Sequence, residues 1–147
     1  MKIKLHSIAR QNQGASEMEE LFAGKVAAGE GLKGDCSPVS QQGEVIVLSK
    51  ESWMKVCHET ETELPWLSHG ANLLIKGFEF LPTDLGRTLR IGEAVLEIIR
   101  GNDPCQHLQE QTPELFEELQ LGWRSGVVCK VLRSGSIQSG GIVDIIG

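Results

Sequence analysis

Apolar and β-branched residues fall in short runs along this chain, each bounded by turn formers. Ala94 to Ile99 (AVLEII), Glu44 to Leu48 (EVIVL), Val127 to Leu132 (VVCKVL) and Ile142 to Ile146 (IVDII) have the length and composition of buried strands. Lys2 to Ile8 alternates, with Ile3, Leu5 and Ile8 as its apolar positions, and predicts a further strand. Helical signals are fewer. Ser49 is a suitable N-cap for a short helix over Lys50 to Cys57, where Trp53, Met54, Val56 and Cys57 fall partly at helical spacing. Thr112-Pro113 followed by ELFEELQLG predicts another. Threonine stands at its cap, proline at the first helical position, Leu115, Phe116 and Leu119 on one face, and Gly122 as the stop.

The connecting segments are read as irregular. Residues 11 to 19 predict a loop or short helix, and Glu59 to Pro65 an exposed acidic stretch. Gly24 to Gly34 (GKVAAGEGLKG) carries four glycines, a density that means tight turns and close backbone approach. The irregular stretch continues through Asp35-Cys36-Ser37-Pro38. The turn-rich RSGSIQSGG joins the last two strands. At least six short strands with two or three short helices predict a mainly β fold, a barrel or closed sheet over residues 1–147, and not an alternating βαβ fold.

One break in this pattern carries chemistry. Arg100-Gly101-Asn102-Asp103-Pro104 ends the AVLEII strand with strong turn formers. Pro104 cannot donate to a ladder and biases Asp103 towards extended backbone, so Cys105 is expected at the mouth of a sheet and not within it. A thiolate is a soft donor, suited to binding a metal or carrying sulfur. His107 stands near enough to lower a thiol's pKa when protonated, and Asp103 opposes that effect.

The chain has four cysteines and no CxxC pair, which in a reducing compartment implies free thiols. Cys57 and Cys129 are read as core residues, and Cys36 as a loop residue that would serve as a resolving thiol if it faced the same pocket. A zinc site from Cys57, His58, His69, Cys105 and His107 matches no common ligand spacing. The net charge of −6 argues against nucleic acid as a partner, which calls for a concentrated basic face. No apolar run has the length of a membrane span and the N-terminus lacks a signal-peptide core, so a cytoplasmic location with no membrane partner is expected.

The ordered series GEGLKGD, EVIVLSKESW, GANLLIKG, RIGEAVLEI, PCQHL, GWRSGVVCKVL and GSIQSGGIV resembles the molybdenum cofactor sulfurase C-terminal (MOSC) domain family, over about Gly24 to the C-terminus. The resemblance implies a β-barrel with two or three short peripheral helices. It also implies a functional cysteine at Cys105, as molybdenum ligand or as sulfur (persulfide) carrier in a Mo-dependent oxidoreductase or sulfurtransferase component. Molybdenum cofactor would be the bound group. Asn72 would then meet polar ring edges, and Lys76, Arg87, Arg100 and Arg124 the cofactor's phosphate. Asp35 is read as a loop-fixing acceptor. The chain shows no pyridoxal-phosphate module, so electrons or sulfur would come from a separate electron donor or a cysteine desulfurase. Three departures from the family pattern bear on the pocket: Ala71 where glutamate is common, His107 where Arg or Lys is common, and CSPVSQQGE in place of a basic segment. The first and third remove charge. The alternatives are therefore a non-catalytic cofactor or sulfur carrier, or a barrel interaction module that has lost the cofactor.

Overall fold

The computed structural model describes residues 2–147. Among the described residues, eleven strands run in chain order: β1 (Ile3–Gln11), β2 (Met18–Leu21), β3 (Ala23–Ala27), β4 (Gly31–Leu32), β5 (Glu44–Ser49), β6 (Leu73–Lys76), β7 (Thr88–Ile91), β8 (Ala94–Gly101), β9 (Val127–Arg133), β10 (Gly135–Gln138) and β11 (Ile142–Ile146). The described residues also form four short helices, α1 (Pro38–Gln41), α2 (Lys50–Glu59), α3 (Gln106–Gln111) and α4 (Pro113–Leu119), with 3-10 turns at Trp66–His69 and Pro82–Asp84.

Seven strands close into a barrel in the order β1-β11-β7-β8-β9-β5-β6, with β6 returning to β1. Closure removes the open edges that a sheet of this size would otherwise expose. Every neighbour pair in the barrel is antiparallel except β5 and β6, where Val47 lies opposite Leu73 and Ser49 opposite Ile75. Parallel neighbours need a crossover. Here α2 and the Trp66–His69 turn supply it, with the Ser49 hydroxyl accepting from Ser52 N at 3.3 Å to cap α2. β2 extends the sheet beyond β1, and β10, β3 and β4 form a small second sheet.

The β8 sequence shows how one apolar run serves two environments. Ala94, Leu96 and Ile98 are buried while Val95, Glu97 and Ile99 are only partly covered, the period-two signature of a strand. The inward residues meet Leu5, Val47, Ile75 and Leu89 in the barrel core. A second cluster lies outside the barrel wall, where Leu48 and Leu74 meet Trp53 and Val56 of α2, Leu108 of α3, and Leu115 and Leu119 of α4. Each such fully buried aliphatic side chain stabilises the fold by roughly 1.5–3 kcal/mol. This outer cluster fixes α3 and α4 against α2, and so decides where Cys105 sits.

The expected strands and the α2 and α4 helices are present. Three expectations need correction. Met18–Leu21 is a strand paired with Ile8–Gln11. The glycine-rich segments contain β3, β4 and β10, whose pairing partners come from remote parts of the chain: Gly135 opposite Val26, and Val26 opposite Leu32. Thr112 does not cap α4 with its side chain; its hydroxyl donates back to Leu108 O at 3.1 Å, closing α3 instead. Among the described residues, no helix is long and apolar enough to cross a membrane.

Candidate functional site

The turn that ends β8 is held from beneath. Gly101 lies flat against Trp123, whose indole nitrogen is 2.5 Å from where a Cβ would stand, so no larger residue fits without displacing the ring. Asn102 N donates to Gly126 O at 3.0 Å, and its side-chain Nδ2 donates to Ser125 O at 3.0 Å. Pro104 is buried and Cys105 is exposed. One residue further on α3 begins, with Leu108 N donating to Cys105 O at 3.1 Å and the Leu108 side chain fully buried. The thiol is therefore presented to solvent by backbone that is anchored on both sides.

Cys105 opens into a cleft of about 650 Å³, lined also by His107, Gln111, Asn102, Asp103, His69, Ile46, Ser37 and Gln11 together with residues 16–18. The expected placement of Cys105 at the mouth of the sheet agrees with this position.

The facing wall is organised by Asp35. Its carboxylate accepts from Gln11 N at 2.8 Å, Ser37 Oγ at 2.5 Å, Ser40 Oγ at 2.6 Å and Asn72 Nδ2 at 3.0 Å. Partial burial would raise its pKa, but the four hydrogen bonds outweigh that and hold it below the ordinary carboxylate value. Asp35 is thus an acceptor that fixes a loop. Cys36 follows it, exposed, with its N–H donating to Gln11 O at 2.8 Å, and it is absent from the residues lining the cleft. Asn72 is 1% exposed: Nδ2 is spent on Asp35, Oδ1 accepts from Ile46 N at 3.0 Å, and neither atom reaches the cleft. It ties the Asp35 loop to β5.

His69, a zinc-ligand candidate by residue type alone, has a different setting in the fold. It is 3% exposed, stacks edge-on against Trp53 and forms part of the cleft wall. Nε2 lies 2.9 Å from Ser125 Oγ, which also accepts from Asn102 Nδ2 at 3.3 Å. Nδ1 has no hydrogen-bond partner. Burial drives the imidazole pKa down to about 4, against a smaller upward pull from the Ser125 backbone, so the ring is neutral near pH 7. No local pattern marks this group, because Ser125 and Asn102 reach His69 only through the fold. Among the described residues, no group of three or more His, Cys, Asp or Glu is placed to hold a metal ion.

The four expected cations lie elsewhere. Arg100 forks onto Glu44 at 2.8 and 3.2 Å on the barrel surface. Arg124 forks onto Glu59 at 2.9 and 3.0 Å and reaches Glu118 at 3.1 Å. Arg87 pairs with Asp84 at 2.9 Å. Lys76 ends β6 opposite Lys4, exposed. None of the four lines the cleft, whose ionisable side chains are those of Glu17, Asp103, Cys105, His69 and His107. The phosphate of a pterin cofactor calls for Arg, Lys or a cluster of backbone donors. With two carboxylates and no Arg or Lys, these residues do not fit that phosphate, although the Cys105 thiol is the donor a soft metal would use.

Comparison with known proteins agrees with the fold. The family model for the MOSC domain matches residues 22–144. The YuaD protein of Bacillus subtilis superposes with a TM-score of 0.80 at 18% identity, covering 99% of this chain and 96% of that one. YiiM of Geobacillus stearothermophilus superposes at 0.74 with 15% identity, over 99% of this chain and 75% of its own. YiiM of Escherichia coli gives 0.69 with 15% identity, over 100% and 70%. No curated protein matches the chain in sequence.

Proposed function

The chain belongs to the MOSC domain family, and from that membership we propose that it carries sulfur on Cys105, as a persulfide, between a separate donor and an acceptor. The family is associated with molybdenum cofactor and with sulfur handling. Sulfur handling is the part of that chemistry that the residues of this cleft support. The observation that carries the proposal is an exposed, free thiol on anchored backbone in a cleft that supplies histidines and carboxylates but no phosphate clamp.

The loading step balances without an added oxidant. The Cys105 thiolate attacks the outer sulfur of a donor persulfide. The donor's sulfur–sulfur bond breaks, a Cys105 persulfide forms, and the donor leaves as a thiolate. Delivery is the same exchange in reverse, onto an acceptor thiol or another nucleophile. Cys57 and Cys129 do not compete: burial raises both thiol pKa values, and Cys129 is wholly enclosed in β9. A cysteine desulfurase is the class of donor this reading requires.

The test is cold cyanolysis after exposure to glutathione persulfide. Wild type is expected to release one equivalent of thiocyanate per chain above background, and Cys105→Ser none. Equal release from both proteins would overturn the proposal, and so would release that disappears in Cys36→Ser and not in Cys105→Ser.

A further inference from the structure

We propose that the free edge of β2, beside the Cys105 cleft, is a docking strand for an extended, basic, cysteine-bearing segment of the protein that exchanges sulfur with Cys105. The proposal rests on the reading of Cys105 as a persulfide carrier, and it names the kind of partner that carrier meets.

The direction of the backbone groups defines the edge. β2 runs antiparallel to the end of β1, with Ile8 opposite Leu21, Ala9 opposite Glu20, Arg10 opposite Glu19 and Gln11 opposite Met18. In such a ladder opposed pairs alternate between bonding to each other and facing outward. Ala9 N donates to Asn72 O at 2.7 Å, on the β6 side of β1. Gln11 N donates to Asp35 Oδ1, and Gln11 O accepts from Cys36 N, both at 2.8 Å. Ala9 and Gln11 therefore face away from β2. Their opposites, Glu20 and Met18, face away from β1, and among the described residues their N–H and C=O groups have no hydrogen-bond partner. β2 is the last strand of the sheet on this side.

Such edges are ordinarily blunted by lysine, proline or a bulge. Met18-Glu19-Glu20-Leu21 has none of these, and its register with β1 is unbroken. The Trp66–His69 turn reaches β2 through Trp66 Nε1, which donates to the Glu20 carboxylate at 3.0 Å and not to the edge. Ser16, Glu17 and Met18 line the cleft into which Cys105 opens. A strand added along β2 and continuing past Met18 therefore leads to the thiol.

Backbone pairing would accept any extended segment, so charge selects among them. Glu17 and Asp103 line the cleft without an Arg or Lys, Glu20 is exposed on the edge, and Glu19 is taken by Arg10 at 3.3 Å. A second copy of β2 is a poor occupant: antiparallel pairing of Met18 with Glu20 sets Glu19 against Glu19, a destabilising like-charge pair. Lysine or arginine at alternate positions meets the opposite condition. The exchange is the loading step given above, with the segment's persulfide as donor and its thiolate as leaving group.

The probe is a short capped peptide of alternating lysine and threonine around one cysteine, supplied as its persulfide, with sulfur uptake at Cys105 followed by mass. It is expected to load wild type roughly tenfold faster than the same peptide with glutamate for lysine, the equivalent of one or two net hydrogen bonds. Strand pairing uses one alternate set of peptide amides. N-methylation of either the lysines or the threonines, but not of both alike, is therefore expected to remove most of the advantage. Rates unchanged in both methylated peptides, or lowered equally in both, would overturn the proposal. Glu20→Pro removes an outward N–H and no bond of the β1 ladder. The lysine-peptide rate relative to that of glutathione persulfide is expected to fall about tenfold in Glu20→Pro and less in Glu20→Gln, which keeps the N–H. Equal falls would mark the contact as charge alone and overturn the docking strand. In Cys105→Ser, which cannot react, the thiol form of the lysine peptide is expected to slow hydrogen exchange at the Met18 and Glu20 amides; no added protection overturns the proposal without needing the proline variant. Loading of Cys105 by glutathione persulfide with no preference among the peptides ends the docking strand and leaves the carrier role standing, whereas no loading by any persulfide ends both.

Discussion

Replacing Asp35 by asparagine removes the charge on which the wall opposite Cys105 is built. The wild-type carboxylate accepts four hydrogen bonds, from Gln11 N, Ser37 Oγ, Ser40 Oγ and Asn72 Nδ2. In Asp35→Asn one oxygen still accepts from Gln11 N, but the new NH₂ faces donors. The two hydroxyls can rotate away; Asn72 Nδ2 cannot turn without giving up the bond from Ile46 N to its Oδ1. A hydrogen bond to a charged group contributes about 1.5–3 kcal/mol, and partial exposure and non-additivity reduce the sum of several. A total loss of about 2–4 kcal/mol follows, which for a domain of this size lowers Tm by roughly 5–15 °C. The pH dependence gives a second readout. A carboxylate whose folded pKa is depressed contributes stability that is complete above its ordinary value of 3.8 and is lost as pH falls through the lower folded value. Wild type therefore loses this contribution below about pH 4, and the variant has none to lose. Thermal melts of both proteins from pH 7 to pH 2.5 test the argument. A variant melting within 2 °C of wild type at pH 7, by the same size scaling, would refute the assignment of Asp35 as the fastener of this wall.

Further outcomes follow from the same geometry. Because His69 is held neutral with a pKa of about 4, wild-type stability is expected to fall by about 1.4 kcal/mol per unit as pH drops from about 6.5 towards 4, and His69→Gln is expected to flatten that limb in pH-dependent melts. Cys129→Ser places a hydroxyl in a fully enclosed core position and is expected to cost about 1–3 kcal/mol by urea titration, with thiocyanate release unchanged. Arg100→Ala breaks a surface fork to Glu44 and is expected to cost less than about 1 kcal/mol, less still at high salt, with Cys105 loading at the wild-type rate. A loading defect in that variant would return Arg100 to the site.

Much of the barrel was legible because its central strands are apolar runs cut cleanly by glycine, proline and aspartate. AVLEII, EVIVL and VVCKVL needed no tertiary information. β3, β4 and β10 hid because glycine lowers every strand signal, and their ladders join residues as distant as Gly135 and Val26. The position of Cys105 could be read from Pro104 and the turn before it, which is local chemistry. The directions in which Asn72, Arg100 and Arg124 point could not. Asn72 faces Asp35, and each arginine meets a carboxylate 56 or 65 residues away, Glu44 and Glu59. Flanking a motif in sequence placed none of them in the cleft. His69 was hidden for the complementary reason: its partner Ser125 stands 56 residues on, in a turn where Gly126, at φ +87°, packs against the Val47 carbonyl.

The most direct test of the central claim is intact mass of the chain after treatment with glutathione persulfide, for wild type and Cys105→Ser, each first purified from a molybdenum-cofactor-producing host and assayed for molybdenum and pterin. Wild type is expected to gain the mass of one sulfur atom, mapped to Cys105, the variant to gain none, and neither to hold stoichiometric pterin. Wild type that takes up no sulfur and instead carries molybdenum and pterin, lost together in Cys105→Ser, would contradict it.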